Sequence, residues 1–217
     1  MHRTLRSSFQ PVLTTVLALL VAAPAMQAQE LKPIQLPTPQ TTGGKPLMQA
    51  LAARHTTRAF REAPLSQQQL SNLLWAAFGV NRPRSVKEGL GRTAPSAMNR
   101  QEVQLYVILA QGAYLYDAEA NQLKPVVAGD LRAKVGSEAA AHAAATIIYA
   151  ADAKLDFAQV DTGFIGQNVY LFAASEGMNA WFYALHGAQD PAAISAALKL
   201  PASLRPLYGQ SVGFPPQ

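Results

Sequence analysis

Two short stretches hold residue types that could act on a bound molecule. The first, Arg54-His55-Thr56-Thr57-Arg58, places two guanidiniums four residues apart around a histidine and two hydroxyls. Guanidinium forks bind phosphate through paired hydrogen bonds and hydroxyls add short ones, so this segment suits an anion grip. It equally suits a solvated helix end, where arginines complement the negative end of the helix dipole. The residues alone leave both readings open. The second stretch, GRTAPSAMNRQ from Gly91 to Gln101, is small and rigid with one amide side chain between basic residues. It leads directly into EVQLYVIL, whose alternating β-branched and aromatic residues read as a strand.

Other chemistry is poorly supported. GLGRTA, Gly89 to Ala94, matches a dinucleotide fingerprint, but NRPRSVKE precedes it and Pro95 follows, so the required strand and helix are both missing. GQSVG, Gly209 to Gly213, matches a serine-hydrolase elbow, yet no histidine follows Ser211. A terminal strand, with glycines where backbones approach closely, accounts for it better. His55, His142 and His186 lack metal-ligand spacing. Zero cysteines exclude disulfides, thiolate metal sites and a cysteine nucleophile.

The elements that must position these stretches follow from periodicity. LMQALAAR reads as a helix with Leu47, Leu51 and Ala52 at helical spacing. SQQQLSNLLWAAFG is a clearer one: Ser66 caps it, Leu70, Leu73, Leu74, Ala77 and Phe78 form its apolar face, and Gly79 ends it. Residues 80–100 read as turn-rich. Val103, Leu105, Val107 and Leu109 alternate with Gln104, Tyr106 and Ile108 in a strand, and GAYLYDAEANQLKPV forms a hairpin looped at Asp117–Asn121. AAAHAAATIIYAAD splits near Ala144 into a helical and a strand-like half. DTGFIGQNVYLFAASEGM is a second strong helix, with Asp161 as its cap and Phe164, Ile165, Asn168, Leu171, Phe172 and Ser175 recurring at three or four residues. NAWFYAL is a strand, DPAAISAALKL a short helix opened by Asp190-Pro191, and LYGQSVGF a last strand. Without a regular βαβ rhythm, the mixture predicts an α+β fold with a sheet packed by helices.

The 217 residues are 49% hydrophobic and 14% charged, a composition for one cored domain of roughly 150 residues or more. Residues 1–28 have the order of a secretory signal peptide: Arg3 and Arg6, the apolar run PVLTTVLALLVAA, then small residues with a cleavage point after Ala25 or Ala28. A spanning helix needs about 20 apolar residues, more than this run supplies. Removing the two arginines leaves 16 basic against 13 acidic residues, and no dense basic stripe of the nucleic-acid type. Residues 29–46, rich in Pro, Thr and Gly, read as an extended linker or arm, and residues 47–217 as the folded domain. The expectation is a periplasmic or secreted protein with no stable membrane span once the signal is gone.

From about residue 47 to the end, the order of RHTTRAF, LLWAAFGVNRP, GRTAPSAMNRQ, DTGFIGQNVYLFAASEGMNAW and LYGQSVGFP resembles the flavin-dependent nitroreductase superfamily, in particular its SagB-type dehydrogenase-like branch. The resemblance implies a nitroreductase-like fold, a central mostly antiparallel sheet flanked by helices, in a domain-entwined homodimer that holds FMN between its subunits. It gives Arg54, His55, Thr56 and Arg58 the phosphate and ribityl chain. It places Pro95, Ser96 and Ala97 over the isoalloxazine ring, partly from the other subunit, with Asn99 at the ring or ribityl chain. A flavin needs a flat wall with few mobile side chains, which Pro, Ser and Ala provide. A backbone N–H toward flavin N5 falls on Leu185, or on Ala184 next. The implied activity is oxidoreduction in which the flavin carries hydride or electrons and no side chain is catalytic. The partner is a small-molecule substrate, a quinone or another redox protein. Relatives often carry Lys or Arg beyond the last strand, whereas this chain ends GFPPQ; Arg82, Arg84 or Arg100 are the substitutes to consider. The rival reading is a non-catalytic flavin or flat-ligand binding protein on the same fold.

Overall fold

The computed structural model describes residues 30–86, 88–136, 138–152, 154–185 and 190–217. The signal-like residues 1–28 and His186 lie outside the described residues. In chain order the elements are β1 (Ile34–Gln35), α1 (Leu47–Ala53), α2 (Gln67–Phe78), β2 (Val80–Ser85), β3 (Gly89–Arg92), a 3-10 turn (Ala97–Asn99), β4 (Gln104–Leu109), β5 (Gly112–Asp117), β6 (Gln122–Ala128), α3 (Arg132–Val135), α4 (Glu138–Ala141), β7 (Ala145–Asp152), α5 (Ala158–Glu176), β8 (Asn179–Ala184), α6 (Pro191–Ala197) and β9 (Leu204–Gly213). The fold is α+β. Its seven-stranded sheet has the order β1-β6-β5-β4-β7-β9-β8, and every neighbouring pair is antiparallel.

Strand alternation sorts the core into two layers. On β4, Leu105, Val107 and Leu109 join Ile147 and Tyr149 of β7 under α2 and α5, while Tyr106 and Ile108 join Ile148, Tyr183 and Ile194 on the α6 side. Both faces are covered, so β4 reads as a nearly unbroken apolar run.

Helix α2 is written out in its sequence. Ser66 Oγ accepts the Gln69 N–H and the Gln69 side chain accepts the Ser66 N–H, a full capping box. At the other end, a Cβ on Gly79 would lie 2.5 Å from the Trp75 side chain, so only glycine fits.

Four expectations change. The turn-rich stretch holds a separate ribbon, β2 paired with β3, whose register is irregular around Arg82. The arm is part of the fold: Ile34 and Gln35 pair with Leu123 and Gln122, and Leu36 is buried. Asp161 does not cap α5; Phe157 occupies that position and Asp161 is buried within the first turn. The buried stripe of α5 is Ala158, Thr162, Ile165, Val169 and Ala173, which leaves Phe164 44% exposed.

Candidate functional site

Strand β8 ends the sheet, and segment 54–61 runs along its open edge. Thr57 N–H donates to the Ala180 carbonyl (3.0 Å), Asn179 Nδ2 donates to the Ala59 carbonyl (2.7 Å), and Arg61 N–H donates to the Phe214 carbonyl (2.9 Å). Each arginine on this segment lies against an aromatic ring: Arg54 over Tyr170 at 5.4 Å, Arg58 over Trp181 at 5.3 Å, Arg61 over Phe214 at 5.3 Å. Among the described residues, none of the three ion-pairs with a carboxylate. A ring face attracts the cation but leaves the guanidinium's in-plane N–H groups able to donate to an acceptor. The arrangement is a cationic strip whose donors are unused among the described residues.

Tyr170, which sequence reasoning passed over, organises this edge from α5. Its hydroxyl oxygen accepts the Phe182 N–H at 2.8 Å and shares a 2.9 Å hydrogen bond with Thr56 Oγ1. The signal was weak, since a lone tyrosine in an apolar helix reads as core. His55 Nδ1 lies 2.8 Å from the Ala53 carbonyl, and the ring borders a cavity of about 150 Å³ with Lys45, Gly177 and Asn179.

The outward groups of β8 are fixed by alternation. The Ala180 carbonyl and Phe182 N–H both face the open edge, so the Ala184 N–H takes that side as well. Leu185 is one step out of phase, with its side chain 8% exposed among Tyr183, Ile194 and Leu198.

The Pro95–Asn99 stretch forms a tight turn. Ser96 Oγ accepts the Gln101 N–H (2.9 Å), and Asn99 Nδ2 donates to the carbonyls of Glu88 (2.8 Å) and Leu90 (3.2 Å). Asn99 Oδ1 accepts from Gln101 Nε2 (2.7 Å), so the amide is engaged within the turn and β3. Ala97 N–H donates to Asp161 Oδ2 at 2.9 Å, which ties the turn to the first turn of α5.

The arginine strip and this turn are not brought together within one chain. Their anchors on α5, Tyr170 and Asp161, are nine residues apart in sequence. At 3.6 residues per turn and 1.5 Å per residue, that is about half a turn around the helix and about 13 Å along it. Arg84 of the β2–β3 ribbon is engaged with Glu119 of the β5–β6 loop (2.8 Å), and Arg100 Nη2 lies 3.9 Å from Met98 Sδ. Arg61 and Phe214, by contrast, put a cation directly beyond β9.

The motifs set aside on sequence grounds are structural. Gly89–Arg92 is β3, and the buried Ser211 lies within β9, bonded to Thr146 Oγ1 (3.0 Å) and Tyr183 OH (3.3 Å). Among the described residues no cluster of His, Asp or Glu could hold a metal.

The chain matches the Nitroreductase family over residues 51–214 and belongs to that family. A crystal structure of a provisionally assigned nitroreductase from Ralstonia eutropha JMP134 is similar, with 33% identity and a TM-score of 0.76 over 85% of this chain and 90% of that one. A protein of Methanocaldococcus jannaschii with a provisional nitroreductase name is 29% identical over 157 residues, 61% of this chain and 75% of its own. An FMN-dependent nitroreductase of Clostridium difficile R20291 shares the fold at 18% identity, with a TM-score of 0.54 over 78% of this chain and 88% of its own.

Proposed function

We propose that this protein is an exported, FMN-dependent oxidoreductase that works as a homodimer. The observation that carries the reading is the strip of Arg54 and Arg58 beside the open edge of β8, inside the family-matched span and without acidic partners among the described residues. Those residues fit an anionic tail joined to a planar ring. Arg54, His55, Thr56 and Arg58 would hold the phosphate and ribityl chain, and the Ala184 N–H, rather than that of Leu185, would face flavin N5. When bound, FMN supplies the ring that accepts and returns hydride or electrons. A backbone donor at N5 stabilises negative charge on that ring. Pro95, Ser96 and Ala97 offer a wall of small side chains that excludes water, and the turn keeps Asn99 at its rim.

The half-turn separation on α5 supports a site completed by a second subunit. Exposed apolar residues supply a surface for one: Phe157, at the cap of α5, lies in line with Val160 and Phe164 on the helix, and Leu47, Met48 and Leu51 lie on α1. Substrate oxidation, as in the SagB-type branch, and nitro reduction are both open to such a site. An exported enzyme would exchange electrons with a quinone, a redox protein or the substrate itself. Among the described residues no helix is long and apolar enough to cross a membrane.

The test is a visible spectrum of the FMN-reconstituted protein after desalting, alongside its mass in solution. A yellow dimer that bleaches with dithionite, and an Arg54→Ala variant without colour, are expected. A colourless wild-type protein ends this reading. A coloured Arg54→Ala variant of undiminished affinity moves it toward a binding module that grips its ligand elsewhere.

A further inference from the structure

The turn from Pro95 to Gln101 is held in a costly shape. Met98, Asn99 and Gln101 have left-handed backbones, with φ of 53°, 53° and 54°. For residues with a Cβ each such angle costs about 1–2 kcal/mol, and persists only where surrounding contacts enforce it. One enforcing contact is the Ala97 N–H on Asp161, a carboxylate only 2% exposed.

Asp161 has a second neighbour. Glu102, two residues before β4, sets its carboxyl within hydrogen-bonding reach of Asp161, and one of its oxygens, Oε2, is buried with no partner. Among the described residues neither acid forms an ion pair. Two adjacent ionised carboxyls repel and offer only acceptors, whereas one proton makes the pair a donor and an acceptor.

We propose that Glu102 holds a proton and donates it in a hydrogen bond to Asp161, and that this contact is the latch that keeps the Pro95–Gln101 turn in its strained shape. Asp161 in turn accepts the Ala97 N–H. Both are positioning residues that act through the turn. The groups that face Glu102 agree. Burial acts first, joined by the hydrogen bond and charge of Asp161 on α5, and pushes the Glu102 carboxyl above the usual glutamate range. Its own backbone N–H and Arg100 of the same turn pull the other way without prevailing.

The pH dependence has a definite sign. An acid whose folded pKa is raised contributes stability that is complete below the unfolded value and is lost as pH rises through the folded one. The latch therefore holds in acid and loosens as pH climbs out of the carboxylate range. That this loosening also weakens the cofactor wall rests on the flavin reading above; the latch itself does not.

The deciding measurement is hydrogen exchange of the 94–101 segment across weakly acid to weakly alkaline pH, corrected for intrinsic chemistry, with FMN affinity titrated in parallel. In the wild type, protection should fall as pH rises, by up to about ten-fold for each pH unit in which the proton is lost. Glu102→Gln supplies a permanent N–H donor and should hold protection flat, while Asp161→Ala should lose it at every pH. Should Asp161→Ala fail to fold, the comparison of Glu102→Gln with wild type still decides. A flat wild-type profile, or the same slope in Glu102→Gln as in wild type, overturns the proposal. Protection that follows the predicted profile while FMN affinity does not would leave the latch standing and remove the turn from the flavin site.

Discussion

The Tyr170 hydroxyl oxygen accepts the Phe182 amide across 2.8 Å, joining the middle of α5 to the open edge of β8. An edge strand's outward N–H is normally left to water or to another chain. Here a side chain satisfies it and, through Thr56 at 2.9 Å, fixes the segment that carries Arg54 and Arg58.

Tyr170→Phe should therefore do more than remove a surface hydroxyl. It leaves a half-buried amide unsatisfied, a loss of about 1–3 kcal/mol measurable by urea denaturation. It also frees Thr56, so flavin affinity should drop with stability. A variant as stable as wild type would show that water replaces the hydroxyl.

The arginines should separate by ligand. Arg54→Gln should weaken FMN by about ten- to a hundred-fold, the loss of one charge-assisted hydrogen bond, while riboflavin binding stays within a few-fold. Fluorescence titration with both flavins checks this. Equal losses for the two would mean that Arg54 acts on the ring or on the fold and not on a phosphate.

What the sequence revealed depended on how local the cause was. The α2 helix was legible end to end, because Ser66, Gln69 and Gly79 act within one turn of where they stand. The β2–β3 ribbon was hidden: VNRPRS is interrupted by Pro83 and mostly exposed, so it lacks the alternation that marks a half-buried strand. The core face of α5 was misjudged because polar and apolar residues are spread around the helix with almost no preferred face, and Phe164 counts toward a stripe that tertiary packing leaves outside. The arginine segment and the Pro95–Asn99 turn were visible as motifs. Their placement half a turn apart on α5, and the roles of Tyr170 and Asp161 as their anchors, depend on contacts 64 to 114 residues distant in the chain. No local pattern encodes such contacts.

Gly209 tests whether GQSVG is structural. A Cβ there would lie 2.4 Å from the ring of Tyr183, which is 8% exposed and has little room to yield. Gly209→Ala should cost about 1–3 kcal/mol through overpacking, read as a lowered denaturation midpoint. Ser211→Ala should cost about 1 kcal/mol and leave turnover per bound flavin unchanged. A loss of turnover in a folded Ser211→Ala protein would reopen the hydrolase reading.

The β5–β6 hairpin should carry an acid-sensitive lock. Asp117 accepts the N–H groups of Ala120 (3.0 Å) and Glu119 (3.1 Å), and Lys124 Nζ lies 2.6 Å from its second oxygen. The Ala120 amide first, then Lys124, hold the Asp117 carboxyl below the usual aspartate range. A depressed folded pKa means stability that is present above the unfolded value and lost as pH falls through the folded one. Asp117→Asn should thus be less stable than wild type at neutral pH, by no more than about 1 kcal/mol because the ion pair is largely solvated. The gap should close in strongly acid buffer, where wild-type Asp117 is itself neutral. Chemical denaturation at both pH values measures it, and a gap that persists unchanged into acid would assign the effect to the hydrogen-bond geometry of the loop instead of to charge.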